Sequence, residues 1–288
     1  MIAALIAALA AAVLACAQVL LSEATGLTTL GVPLEAGAER VQGVQITLII
    51  WYCAASAPIA AWIAHRDWPT NLPGRIATAV AASSATLLTL PIVRWRAVEQ
   101  LRDEVTAAVV VGALLGLAVA WWPRAGAGVA PHLTLLWVLA LCLSPLPDTV
   151  FYAGLVEPLG VEPLRGLRGP IGRIPLLGEY DYHLPSMLPG IVLVLVLCGL
   201  LARRAYRRTG SRLAAITTAA AGPIVAAAAY RVAPGQLYLW NLSAAVIALG
   251  TAVLGLLVAT SVAAIVARRR VARRRSSRTA REVREAAG

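Results

Sequence analysis

The stretches AVVVGALLGLAVA (Ala108–Ala120) and IVLVLVLCGLLA (Ile191–Ala202) are apolar on every side, with no alternation of polar and apolar positions. A membrane-barrel strand alternates over about ten residues, so these runs read as helices surrounded by lipid or by other helices. Comparable runs recur along the chain, each near the ~20 residues that carry a helix through hydrocarbon. We read eight spans, at 1–22, 44–64, 76–93, 105–122, 131–151, 187–202, 213–229 and 241–267. The expected fold class is all-α: a polytopic α-helical integral membrane protein, with a bundle over 1–267, a partly folded outer loop over 144–190 and an Arg-rich tail over 268–288.

Composition agrees. Of 288 residues, 59% are hydrophobic and 14% charged, against roughly 25% charged in a soluble domain; an ordinary soluble domain is excluded. All 25 positive side chains are Arg. With Ala, Leu and Val abundant and a single Phe, this is the usage of a GC-rich bacterial genome, and any anion recognition rests on guanidinium geometry. The cysteines Cys16, Cys53, Cys142 and Cys198 lie inside apolar runs and form no CxxC pair, so neither a zinc site nor a redox motif is supported.

Orientation follows from Arg placement in short loops and flanks. Eight spans put both termini on one side. If that side is the cytoplasm, seventeen of the 25 Arg face inward, together with three of the fourteen acids, Asp67, Glu282 and Glu285. This asymmetry places the chain in a bacterial plasma membrane with both termini cytoplasmic. Aromatic residues fall where such helices end: Trp62, Trp68, Trp121, Trp122 and Tyr206 at the inner interface, Trp95, Phe151, Tyr152, Tyr180, Tyr182, Tyr230, Tyr238 and Trp240 at the outer one. Trp51 and Trp137 sit deeper and pack between helices. Residues 1–17 have a rival reading as a cleaved leader ending at Ala15-Cys16-Ala17, but no Arg or Lys precedes the apolar run, as a secretory signal normally requires.

The least regular stretch runs from Ser144 to Gly190. Pro145 and Pro147 end or kink the fifth helix, and Asp148 stands where an N-cap would start a short helix. Asp148 is also the one acid close to hydrocarbon depth, which makes it a candidate functional position. Beyond it, Gly or Pro recurs too often for a continuous helix. A loop of about forty residues is uncommon unless it has a function or is disordered, and its apolar residues argue for a segment folded back on the membrane surface. Arg165, Arg168 and Arg173 are candidates to clamp phosphates, or to pair with Glu157, Glu162, Glu179 and Asp181. Glu179, Asp181 and His183 alternate and would share one face of an extended chain, yet three ligands from one strand make poor metal geometry. No metal or other cofactor is expected.

On the inner side, HRDWPTNLPGR (His65–Arg75) is short and stiffened by Pro69 and Pro73. His65, Arg66, Pro69, Pro73 and Arg75 make it a candidate docking loop for a partner. Gly112 and Gly116 permit close helix approach, and Gly222-Pro223 predicts a kink in the seventh span. The tail, with nine Arg, is expected to lie on anionic lipid headgroups rather than on nucleic acid.

No run matches a catalytic motif, which favours a non-enzymatic role over an enzyme acting through Asp148, Asp181 and His183 on lipid-linked substrates. The inner loop after the second span and the folded outer segment between the fifth and sixth resemble, in topology only, exporter permeases that work with a separate ATP-binding-cassette subunit. This implies a permease-like membrane subunit of a transport or export complex. The chain holds no GxxxxGK[ST] phosphate loop, so ATP hydrolysis would belong to the partner. The alternative is a non-transporting scaffold, anchor or immunity-type protein that binds a partner through its outer loop.

The topology has a direct check. A cysteine replacing Gly169 should react with an impermeant thiol reagent in intact cells, and one replacing Thr209 should be protected; the reverse pattern would invert the orientation.

Overall fold

The computed structural model describes residues 1–25, 28, 30–31, 39–67, 71–122, 124–143 and 188–233, with 249–250, 252–258, 260–262 and 265 in the last apolar run. Among these residues no strand is present. The helices are α1 (Ile2–Ala24), α2 (Glu39–Asp67), α3 (Leu72–Thr86), α4 (Leu90–Arg96), α5 (Arg102–Ala120), α6 (Ala125–Leu143), α7 (Leu188–Thr209) and α8 (Arg212–Val232). A short apolar helix, α9 (Ala252–Val262), follows.

Five segments are long and apolar enough to cross a membrane: Ile2–Ala24, Gln45–Arg66, Leu72–Arg96, Glu99–Ala120 and Arg212–Ala229. They match the spans expected at 1–22, 44–64, 76–93, 105–122 and 213–229. α6 begins earlier than the expected 131, at Ala125, and α7 continues past Ala202 through its Arg cluster. The remainder of 131–151, the beginning of 241–267, the outer loop and the Arg-rich tail lie outside the described residues.

The helices are arranged around α2. Every residue from Gln45 to Ala61 is buried, because α1, α3, α5, α6 and α8 all pack on it. Such enclosure requires neighbours with almost no side chain at the contacts. On α5, a Cβ added at Gly112 would lie 2.6 Å from the Ile50 carbonyl oxygen and 2.7 Å from Cys53 Cβ, and one at Gly116 3.0 Å from Ala57 Cβ. On α6, Gly126 faces the Pro58 carbonyl and Trp62. α1 contributes Ala3, Ala7, Ala11 and Ala15 at four-residue spacing, all buried, while Leu5, Leu9 and Val13 point outward. Ala3, Ala7 and Ala11 meet Ala57, Ala60, Ala61 and Ala64 of α2, Ala79 and Ala82 of α3, and Ala120 of α5. The buried residues of this smaller part of the core are all alanine. Toward the other end of α2, Ile46, Leu48, Ile49, Ile50, Trp51 and Tyr52 pack with Leu101, Val105, Val109, Val129 and Leu133.

Proline shapes the third span. Pro91 cannot donate to the Leu87 carbonyl and its ring crowds that turn; the chain tightens into a 3-10 turn at Leu87–Thr89 before resuming as α4. The Thr86 and Thr89 hydroxyls, both buried, donate to the Ser83 and Thr86 carbonyls at 2.7 and 2.8 Å, so that neither is left unpaired in the bundle. α8 runs on through Pro223 as one helix. The α7–α8 turn is tight: Gly210 takes φ +65°, a left-handed conformation that glycine adopts without steric cost, and Ser211 caps α8 by accepting from the Ala214 N–H at 3.3 Å.

Contacts fix the helix directions. Gln18 lies against Ser56, Glu23 against Arg96, and Trp137 against Tyr52; Gly112 lies against Ile50 and Gly128 against Thr218. α1, α3–α4, α6 and α8 run one way, and α2, α5 and α7 the other. One end of the bundle thus gathers Arg66, Arg75, Arg124, Arg203, Arg204, Arg207, Arg208 and Arg212, with Asp67 its one acid among the described residues. The opposite end carries Glu23, Glu99, Asp103 and Glu104 beside Arg94, Arg96, Arg102 and Arg231.

Gly112→Val should destabilise the protein by roughly 1–3 kcal/mol, the usual cost of overpacking. Leu114→Val, on the 61% exposed face of the same helix, should shift it by no more than about 0.5 kcal/mol. Thermal unfolding in mild detergent compares the two.

Candidate functional site

Gln18 is an amide within an otherwise apolar run of α1, and it lies on the helix face that carries the buried alanines. Its side chain is 3% exposed. The Gln18 Nε2 donates to the Ser56 Oγ at 2.8 Å and to the Leu14 carbonyl at 3.2 Å. Ser56 donates its own proton to the Tyr52 carbonyl at 2.7 Å. From α6, the Trp137 Nε1 donates a long bond, 3.5 Å, to Gln18 Oε1. One amide therefore joins α1, α2 and α6 at a depth where no water competes, and a polar group left unpaired there would be costly.

Aromatic rings extend this knot across the bundle. Trp137 stacks on Tyr52 with centroids 5.7 Å apart and planes 19° off parallel. Tyr52 contacts Trp51 at 5.9 Å, and Trp51 meets the His132 ring edge-on at 6.5 Å. His132 is 2% exposed and fits because residue 222 is glycine: a Cβ there would lie 2.5 Å from His132 Cβ. The line of contacts thus runs from α8 through α6 and α2 to α1. His132 therefore lies well inside the bundle, between α2, α6 and α8.

The chemistry available to this cluster is limited and definite. Ser56 commits its proton to a backbone carbonyl, so it is not poised as a nucleophile. Among the described residues no group of three His, Cys, Asp or Glu side chains could hold a metal ion. What the cluster does is fix helices. A second lock stands at the acidic end, where Arg96 Nε pairs with Glu23 Oε2 at 3.1 Å. There the Val98 N–H also donates to the Leu30 carbonyl at 2.9 Å, and the Ser22 and Thr28 hydroxyls share a 2.7 Å bond.

The docking stretch expected at His65–Arg75 is reduced by the helices that flank it. His65 and Arg66 belong to the last turn of α2, His65 half-buried and Arg66 exposed, while Pro73 and Arg75 belong to the first turn of α3, both exposed. Asn71 caps α3 by accepting from the Gly74 N–H at 3.1 Å, and Pro73 sits where a missing N–H costs nothing. Arg75 comes within electrostatic reach of His65. Pro69 lies outside the described residues, as do the outer-loop candidates Asp148, Arg165, Arg168, Arg173, Asp181 and His183. Sequence reasoning passed over Gln18 and Ser56 because neither carries charge. The signal was there in the four-residue alanine spacing, which continues from Ala15 toward Gln18 and Ser22.

Neither a protein-family model, nor a curated protein, nor a solved structure matches the chain.

A double-mutant cycle of Gln18→Leu and Ser56→Ala should show a coupling of about 0.6–1.7 kcal/mol, the range for interhelical hydrogen bonds in membranes. Additive effects would mean that the amide and the hydroxyl do not bond.

Proposed function

We propose that the chain is an eight-span protein of the bacterial plasma membrane with both termini cytoplasmic, serving as a permease-like membrane subunit of a transport or export complex. The supporting observation is the segregation of charge by helix direction. Eight described Arg and a single acid gather at one end, the pattern that orients membrane helices, and the same end offers exposed guanidiniums to an acidic partner. Arg66 and Arg75 stand at the junction of the enclosed α2 with α3, so a partner seated there acts on the helix that all its neighbours touch. ATP hydrolysis, in this reading, belongs to that separate partner.

A second reading, a non-transporting scaffold, anchor or immunity-type protein, is favoured by the shortness of the inner connections. α7 and α8 are joined by Gly210-Ser211 alone, and only residues 121–124 separate α5 from α6. Turns this short leave little segment to move when a partner pushes, and α2 presents no face that could open to water.

Purification of the wild-type protein in mild detergent beside a Pro69→Ala/Pro73→Ala variant decides between them. The transport reading expects a co-purifying ATPase whose activity depends on the membrane subunit in the wild type and is uncoupled in the variant, with insertion intact in both. Absence of any nucleotide-binding partner from the wild-type sample removes that reading, and equal coupling in both samples removes the role of the α2–α3 junction.

A further inference from the structure

Val192, Val196 and Leu200 stand 54–57% exposed at four-residue spacing on α7, and exposed Arg204 and Arg208 continue the same line. The opposite face of the helix, Val194, Cys198 and Ala202, is buried against the bundle. An apolar ridge therefore descends one side of α7 and ends in guanidiniums. At its foot is an open groove of about 460 Å³, lined among the described residues by Leu200, Arg203, Arg204, Arg207 and Arg208. Among the described residues that line it there are four arginines and no carboxylate.

We propose that this groove binds an anionic phospholipid, with the headgroup phosphate held by Arg203, Arg204, Arg207 and Arg208 and an acyl chain lying along Val192, Val196 and Leu200. Each part follows from chemistry. Guanidinium forks donate two parallel hydrogen bonds to phosphate oxygens and stay charged at any physiological pH. Leu200 borders the groove and continues into the ridge, so one ligand has to satisfy both a cationic and an apolar surface, as a phospholipid does and a soluble phosphate does not. Basic residues at this depth draw anionic headgroups in any case; what the groove adds is a place where several guanidiniums converge. The inference needs α7 to lie in the membrane, as proposed above, but does not need the chain to transport anything.

The test is native mass spectrometry of the full chain released from nanodiscs holding equal amounts of phosphatidylglycerol and phosphatidylcholine. The wild type should retain phosphatidylglycerol over phosphatidylcholine by about tenfold, and an Arg204→Gln/Arg208→Gln variant should fall to near parity. An Arg204→Lys/Arg208→Lys variant keeps the charge that orients the helix but loses the fork. Its preference should drop several-fold, and it decides the matter if the Gln variant fails to insert. Parity in the wild type, or an undiminished preference in the Lys variant, overturns the proposal. So does displacement of the retained lipid by millimolar inorganic phosphate, which would make the ligand a soluble anion.

Discussion

From Gln45 to Ala61 α2 has no outward face, and that constraint shapes the composition of much that surrounds it. An ordinary membrane helix packs along one stripe and presents large apolar residues to lipid on the others. α2 is buried from Gln45 to Ala61 all the way round, and while Leu101, Val105, Val129 and Leu133 pack toward its first half, at other contacts the partner helices approach on glycine or alanine. Gly112 and Gly116 do this from α5, Gly126 from α6, and the Ala3–Ala15 spacing from α1. These contacts depend on close dispersion packing. On the perimeter Leu5, Leu9, Leu114, Val192 and Leu200 are exposed.

Close packing alone does not specify which alanine faces which, and the polar residues supply that register. The Gln18 amide can be satisfied only where Ser56 Oγ and Trp137 Nε1 both reach it, and the Glu23–Arg96 pair fixes the ends of α1 and α4 to one another. Among the described residues, charged groups are otherwise confined to the two ends, and their unequal division gives the bundle a positive face and a mixed one. The transport reading and the ligand proposed for the α7 groove rest on that division.

Much of this was legible in the sequence. Unbroken apolar runs identified the helices, and five of the expected spans coincide with helices long enough to cross a membrane. Gly112 and Gly116 announced a close contact, and Trp51 and Trp137 pack between helices as expected. The interruption at Leu87–Thr89 was missed because it depends on Pro91 alone, inside a run whose hydropathy never falters. α6 starts at Ala125, several residues before the expected 131, which brings His132 inside the bundle. Gln18 went unnoticed since hydropathy averages over a window, whereas its importance lies in sharing the alanine face. The outer-loop candidates and the basic tail lie outside the described residues.

A leucine scan tests the enclosure of α2 most directly. Replacing each residue from Ala54 to Ala61 by leucine in turn, with the yield of folded protein in mild detergent as readout, asks whether any face of the helix tolerates bulk. The account predicts that none does, while the same scan from Ala3 to Ala17 in α1 shows losses at Ala3, Ala7, Ala11 and Ala15 and tolerance at Ala17. Leucine accepted every third or fourth position along α2 would reveal a lipid-facing stripe and contradict it.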